Sequence, residues 1–435
     1  MPINEIPHVD RLSRHADIES SLSSLIEADY ESALRGWWPE PFADHFREVY
    51  QVELTGTYAG RAIDHPFGKG SGQLSMTLAQ VRESAEAGLA FVVLKTVIGE
   101  DASGSRSMAA WATDDIRMAV EPIVGQSNRS GWTVSWKGRG WGRSFEDYLA
   151  LCRGSFEIMT ETGMTVAASA KMHLPASLDE PWRLAEYENV IGSLARTWHD
   201  SGNPGPMPFE KDFSPTLAGD DRSRSHDCLL RWLNEIVPNI RNVEPNGTTI
   251  GLKLMNAVGP LELQHRIIDT ALNLPPDRRP DFLVYANRLF DSDKSFEAHR
   301  GIAYGGPDLS DRNLGVLTDR QIRVRNSGLE ISATGDIDSG RTAVEYALRG
   351  CTSAQLHTLF QVPLDYPIEP TVGRVRRVLA RLIFDPHDGL VAWLAHARAH
   401  WGLRDSRGLA CWSGLRHLAI PPERCIRDFQ TRSPQ

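Results

Sequence analysis

The chain has 435 residues, of which 41% are hydrophobic and 24% charged. That is an ordinary globular composition, and it excludes a collagen, a coiled-coil rod and a largely disordered chain. Asp and Glu (56) outnumber Lys and Arg (47), giving a net charge of −9. Binding to phosphate backbones needs clustered positive charge, so no nucleic-acid partner is expected. The five cysteines, Cys152, Cys228, Cys351, Cys411 and Cys425, form no CxxC pair. A metal centre and a disulfide scaffold are therefore not expected, and the pattern fits a reducing, cytoplasmic setting. No apolar run approaches the roughly 20 residues of a spanning helix, and no secretory leader is visible, so no membrane partner is expected.

Residues 1–50 read as an N-terminal helical arm. Leu22, Leu25 and Ile26 give helical apolar spacing between Ile18 and Leu34, and Pro39 and Pro41 end it. Trp37 and Trp38 are candidate anchors to the body. From residue 51 short apolar runs alternate with helical patterns, the signature of βα units around a parallel sheet. Eight inner strands are expected at 67–72, 90–95, 164–170, 207–213, 248–255, 281–286, 329–334 and 353–358. This count argues for an α/β fold of the closed (β/α)8 TIM barrel type spanning 51–365, with a C-terminal helical extension over 366–435. Two long connections, 97–143 and 287–313, follow strands and so fall at the C-terminal face, where such barrels place their chemistry. The first carries Trp111, Trp132, Trp136 and Trp141, which would suit a planar or anionic substrate, or a packed lid.

The strongest local signal is Gly335-Asp336-Ile337-Asp338-Ser339-Gly340, between a β-rich run and a short helix. Glycines let backbone approach a ligand, and a helix N-terminus favours an anion. The expected strands seven and eight flank this segment, and the loops after such strands commonly hold phosphate. Lys95 closes one apolar strand, and Lys253 lies inside another. A lysine there is costly to bury unless it faces a ligand site.

At this point the residues resemble a family. His65-Pro66-Phe67-Gly68-Lys69-Gly70-Ser71-Gly72, EAGLAFVVLKT (86–96), GLKLMNA (251–257), VYANRLF (284–290) and ATGDIDSGRTAVEYALRGCTSAQLHTLF (333–360) are similar, in this order, to blocks of the dihydroorotate dehydrogenase superfamily. The resemblance implies a flavin mononucleotide (FMN) barrel. Carried over by position, Gly70 and Ser71 would lie along the flavin, and Lys95 and Thr96 would contact flavin and substrate. Lys253 would sit by flavin N1, where reduction leaves negative charge. Asn287 matches a substrate-contacting asparagine. Gly305, Gly306, Gly335, Asp336, His357 and Thr358 would surround the phosphate, with Asp336 replacing a family glycine and expected to point away or be offset.

The fourth strand departs from the family. Glu210-Lys211-Asp212-Phe213-Ser214-Pro215-Thr216-Leu217 puts Asp212 and Leu217 where the family has asparagines, and Pro215 at its base position. Ser214, Asp212, Lys95 and His173 remain as candidate catalytic groups, a histidine being suited to proton transfer. The expectation is an FMN-dependent oxidoreductase that transfers hydride between flavin N5 and a small organic molecule at a C–C or C–N bond. Dihydroorotate itself is not the expected substrate. Two alternatives stand beside this reading. One is a related barrel acting on tRNA, against which the acidic charge argues. The other is a non-catalytic scaffold, which Pro215 and Asp336 favour. The resemblance is compatible with a homodimer.

Overall fold

A computed structural model describes residues 6–7, 9, 11–113, 118–136, 140–213, 226–244, 247–256, 260–296, 299–363 and 371–418. Eight strands pair in parallel: β1 (Phe67–Lys69), β2 (Phe91–Val93), β3 (Thr165–Lys171), β4 (Met207–Asp212), β5 (Thr248–Met255), β6 (Phe282–Asn287), β7 (Glu330–Thr334) and β8 (Ser353–Leu356). Each pairs with the next, and β8 pairs with β1 through Ala354 opposite Phe67, so the sheet closes into a barrel. All eight fall at the positions expected from the apolar runs. The reason is visible in burial. Every residue of β3 and β4 is buried, as strands covered on both faces must be; β3 accordingly reads as a nearly continuous small and apolar run rather than an alternating one, whereas β4 buries Glu210, Lys211 and Asp212 in its second half.

Helices follow the strands: α1 (Leu78–Glu86), α2 (Phe145–Thr162), α3 (Leu184–Asp200), α4 (His226–Val243), α5 (Leu261–Asn273), α6 (Pro307–Ser327), α7 (Gly340–Leu348) and α8 (Arg374–Phe384). Helix α8 lies beyond residue 365, yet it takes the place of the eighth outer helix, between α7 and α1. Its Arg376 donates to Glu86 O at 2.7 Å, and just after it Asp388 O accepts from Arg341 N at 2.8 Å. The barrel unit therefore extends past 365 into the segment expected to be an appendage. A further helix, α9 (Leu390–His400), presses on the start of α7: a Cβ on Gly340 would lie 2.1 Å from Leu390 N. The N-terminal arm contributes the helix Ser20–Leu34. Trp38 stacks on Phe42 at 5.8 Å and sits under Arg376 at 4.3 Å, so it does anchor the arm.

The barrel interior is layered. At its N-terminal end the hairpin Gly56–Tyr58/Arg61–Ile63 inserts as a plug, with Tyr58 stacked on Phe91 at 3.9 Å. Phe91 and Phe282 fill this layer only because Gly68 and Gly251 face them: a Cβ at either would sit 2.4 or 2.2 Å from the ring. Above it Glu210 accepts from the Tyr58 hydroxyl (2.7 Å) and from the Gln355 amide. The top layer, at the strand C-termini, is charged.

Candidate functional site

The charged layer opens into a cavity of about 790 Å³, a size suited to a cofactor or drug-sized ligand. All the residues assigned to the flavin line it. Gly70 and Ser71 follow β1, Lys95 and Thr96 follow β2, Lys253 is on β5, and Asn287 ends β6. Gly305 and Gly306 precede α6, Gly335 and Asp336 follow β7, and His357 and Thr358 follow β8. Asp212, the last residue of β4, lines it too. His173 does not. It is 1% exposed and organises the β3–α3 connection, with Nε2 3.0 Å from Glu180 Oε1 and Nδ1 accepting from Arg183 N at 3.2 Å. Ser214, with Pro215 and Leu217, lies outside the described residues.

The cavity floor is a chain of hydroxyls ending in an ion pair. Ser71 Oγ lies 2.7 Å from Thr96 Oγ1, which lies 3.5 Å from Asp212 Oδ2. Asp212 Oδ2 is 3.0 Å from Lys171 Nζ. Lys171 ends β3 as Lys95 follows β2, and the same signal, a lysine closing an apolar strand, marks it in the sequence. Lys253 is 6% exposed, and its ammonium makes no hydrogen bond or ion pair with another described residue. Its counter-charge is Glu210, whose pKa is raised by burial and held down chiefly by Lys253. Burial, partly offset by Asp212, takes Lys95 down to about 7.

The glycine-flanked end of the cavity has its own balance. Gly335 has φ +118°, and Asp336 takes φ +50°, a left-handed value that favours glycine. The Asp336 carboxylate is held by Ser310 Oγ at 3.1 Å and lies 3.5 Å from Arg129. Burial and Asp338 raise its pKa to about 8, so near neutrality it is mostly uncharged beside the glycine loops. Arg381 of α8 adds a cation to the same lining. Burial takes His357 down to about 3, so its ring is neutral. The ring fits only against glycine: a Cβ on Gly72 would lie 2.2 Å from His357 Nε2.

Two antiparallel hairpins roof the cavity. The 97–143 connection folds into Met118–Val124/Ser130–Trp136, and the second into Leu289–Phe296/His299–Tyr304. Helix α6 begins at Pro307, so the stretch 287–313 is not one irregular loop. Arg288 joins the roofs, donating to Ala303 O (2.9 Å) on one hairpin and Val134 O (2.6 Å) on the other. Burial lowers its pKa to about 9. The first hairpin is tied to α6 by Gln126 N to Asp308 (2.7 Å) and Ser127 Oγ to Asp311 (2.7 Å). Trp132 lines the cavity, whereas Trp141 is core, packed edge-on against Tyr148. Among the described residues no helix is long and apolar enough to cross a membrane. Neither a family model nor a curated protein matches the chain.

Proposed function

We propose that this protein is an FMN-dependent oxidoreductase that transfers hydride between flavin N5 and a small organic substrate, at a C–C or C–N bond. The observation that carries the reading is the polarity of the cavity. One end offers backbone at Gly305, Gly306 and Gly335, the N-terminus of α7 and Arg381, which together suit a phosphate. The other holds Lys253, a buried cation with no acceptor among the described residues. Gln355 lines the same cavity, and its buried Oε1 is also without a hydrogen-bond partner among the described residues. These groups fit a phosphate-bearing ring with a polar edge. Asp336, whose replacement of a glycine argued against a phosphate, is held by Ser310 and mostly neutral.

FMN would supply a two-electron acceptor there. This chain's own residues would do the rest. The glycine loops and Arg381 hold the phosphate, and Lys253 stabilises negative charge at the ring edge. The Ser71–Thr96–Asp212–Lys171 chain presents hydroxyls and an ion pair to the substrate, and the paired hairpins exclude water. Asp212 and Lys95 are placed to move a proton. The test is to extract the cofactor from purified protein by heat and identify it, then to screen the flavin-loaded protein for metabolites that bleach its visible absorption. FMN, with bleaching by one small molecule, is the expected result. Recovery of FAD, or no binding after reconstitution with FMN, would overturn the reading.

A further inference from the structure

Two consecutive buried residues of α6, Ser310 and Asp311, join three segments that are far apart in the sequence. From the N-terminal arm, the Arg11 guanidinium donates to Asp311 Oδ1 through Nε (3.0 Å) and Nη2 (2.5 Å), and to Ser310 Oγ (2.9 Å). From the turn of the first roof hairpin, Arg129 Nη1 donates to the same Asp311 oxygen (2.8 Å), and Ser127 Oγ donates to Asp311 Oδ2 (2.7 Å). From the loop after β7, the Asp336 carboxyl accepts from Ser310 Oγ and lies 3.5 Å from Arg129 Nη2. The arm is fixed on either side of Arg11. Pro7 packs so close to α6 that a Cβ on Gly315 would lie 2.3 Å from its Cγ, and Leu12 N donates to Glu345 of α7.

Neither Arg11 nor Arg129 lines the cavity, whereas Asp336 does. Their charge nevertheless bears on it. Arg129 stands between two carboxyls, and Arg11 gives one of them, Asp311, a second cation. The neighbouring acids have partners of their own. Asp308 accepts from Gln126 N and the Tyr304 hydroxyl, and Asp338 accepts from the Thr342 and Ser339 hydroxyls. With Asp311 and Asp336 both ionised, the two guanidiniums and two carboxylates cancel; with Asp336 protonated, one positive charge is left over. Without Arg11 the cluster would turn net negative in the first case and lose its surplus in the second. Either change opposes a phosphate arriving beside Asp336, in a mostly buried setting where charges are weakly screened. We propose that Arg11 and Arg129 are positioning residues for the cofactor phosphate: Arg11 neutralises Asp311, and Arg129 thereby keeps its charge for the phosphate end of the cavity. Both act through Ser310, Asp311 and Asp336 rather than on the cofactor itself. The proposal rests on the flavin reading, and it makes cofactor affinity depend on the N-terminal arm and the first roof hairpin.

The test titrates flavin-free protein with FMN and with riboflavin, which has the same ring and side chain but no phosphate, and follows flavin fluorescence. Wild type is compared with Arg11→Met, Arg11→Lys and Arg129→Met. Both methionine variants should weaken FMN binding by about tenfold, within the range by which residues that touch no ligand shift a binding equilibrium, and leave riboflavin affinity nearly unchanged. Arg11→Lys, which keeps the charge, should retain most of the preference for FMN. An equal loss of both flavins would make the cluster a structural brace and overturn the proposal. So would unchanged FMN affinity in a folded methionine variant, or a loss in Arg11→Lys as large as in Arg11→Met. If Arg11→Met does not fold, Arg129→Met, on the more exposed hairpin turn, decides by the same criteria. Wild type that binds FMN no better than riboflavin would overturn the proposal while leaving a flavin in the cavity. Wild type that binds neither would overturn the flavin reading itself, and the proposal with it.

Discussion

Lys253→Met separates a ligand-facing lysine from a structural one. Methionine keeps most of the side-chain volume, and volume-conserving swaps in packed sites cost less than about 1.5 kcal/mol. The protein loses no hydrogen bond or ion pair among the described residues, because the Lys253 side chain makes none and its backbone bond from Phe213 N is kept. Glu210, left without its counter-cation, takes up a proton; its pKa is already raised by burial. No lone buried charge remains, so flavin-free protein should unfold within a few degrees of wild type. What disappears is a cation at the edge of the bound ring, where reduced flavin concentrates charge. A hydrogen bond to a charged group is worth about 1.5–3 kcal/mol. If it acts mainly on the reduced form, affinity for oxidised FMN falls less than about tenfold. The two-electron midpoint potential falls by about 30–60 mV. Thermal unfolding, FMN titration and potentiometry on the same variant make the test. A large loss of stability without flavin, or an unchanged potential in folded, FMN-loaded protein, would refute the placement of Lys253 at the ring.

Three further outcomes follow from the geometry. Asp336 has a folded pKa of about 8, above its ordinary 3.8; a raised folded value means its contribution to stability is present at low pH and lost as pH rises through that value. Asp336→Asn, which tolerates left-handed φ, should therefore be more stable than wild type above pH 8, with the gap closing toward pH 3.8, and a constant gap in thermal scans across pH would contradict the burial of that carboxyl. Gly72→Ala places a Cβ 2.2 Å from His357 Nε2; it should cost about 1–3 kcal/mol and weaken FMN binding, and an unchanged FMN affinity would remove the His357 loop from the cofactor site. His173→Gln should lower stability by about 1–3 kcal/mol through loss of its bonds to Glu180 and Arg183 N while leaving FMN affinity as it is, and a selective loss of flavin binding or reduction would return His173 to the site.

The sequence alone determined the barrel and most of its mouth. Strands buried on both faces tend to be apolar along their whole length, so most of β1 to β8 stand out as short runs, and glycine or lysine marks the ends of β1, β2, β3 and β7. Lys95 and Lys253 were conspicuous because a cation in an apolar strand has few tolerable destinations, and the strand ends of a closed barrel are the chief one. Tertiary structure decided the rest. The roof hairpins mix polar and apolar residues with no face assigned until something lies beneath them, so Arg288 and Trp132 gain meaning only once Ala303, Val134 and the cavity are in place. Arg381 sits in an amphipathic helix whose arginines look alike in one dimension; only the docking of α8 into the helix ring brings this one to the cavity. His173 carried the chemistry of an acid or base but not the position. It lies two residues past the end of β3, where Glu180 and Arg183 hold its ring away from the cavity. Residue type and local pattern are encoded along the chain, whereas the direction of a side chain at a strand end depends on the loop that folds back over it.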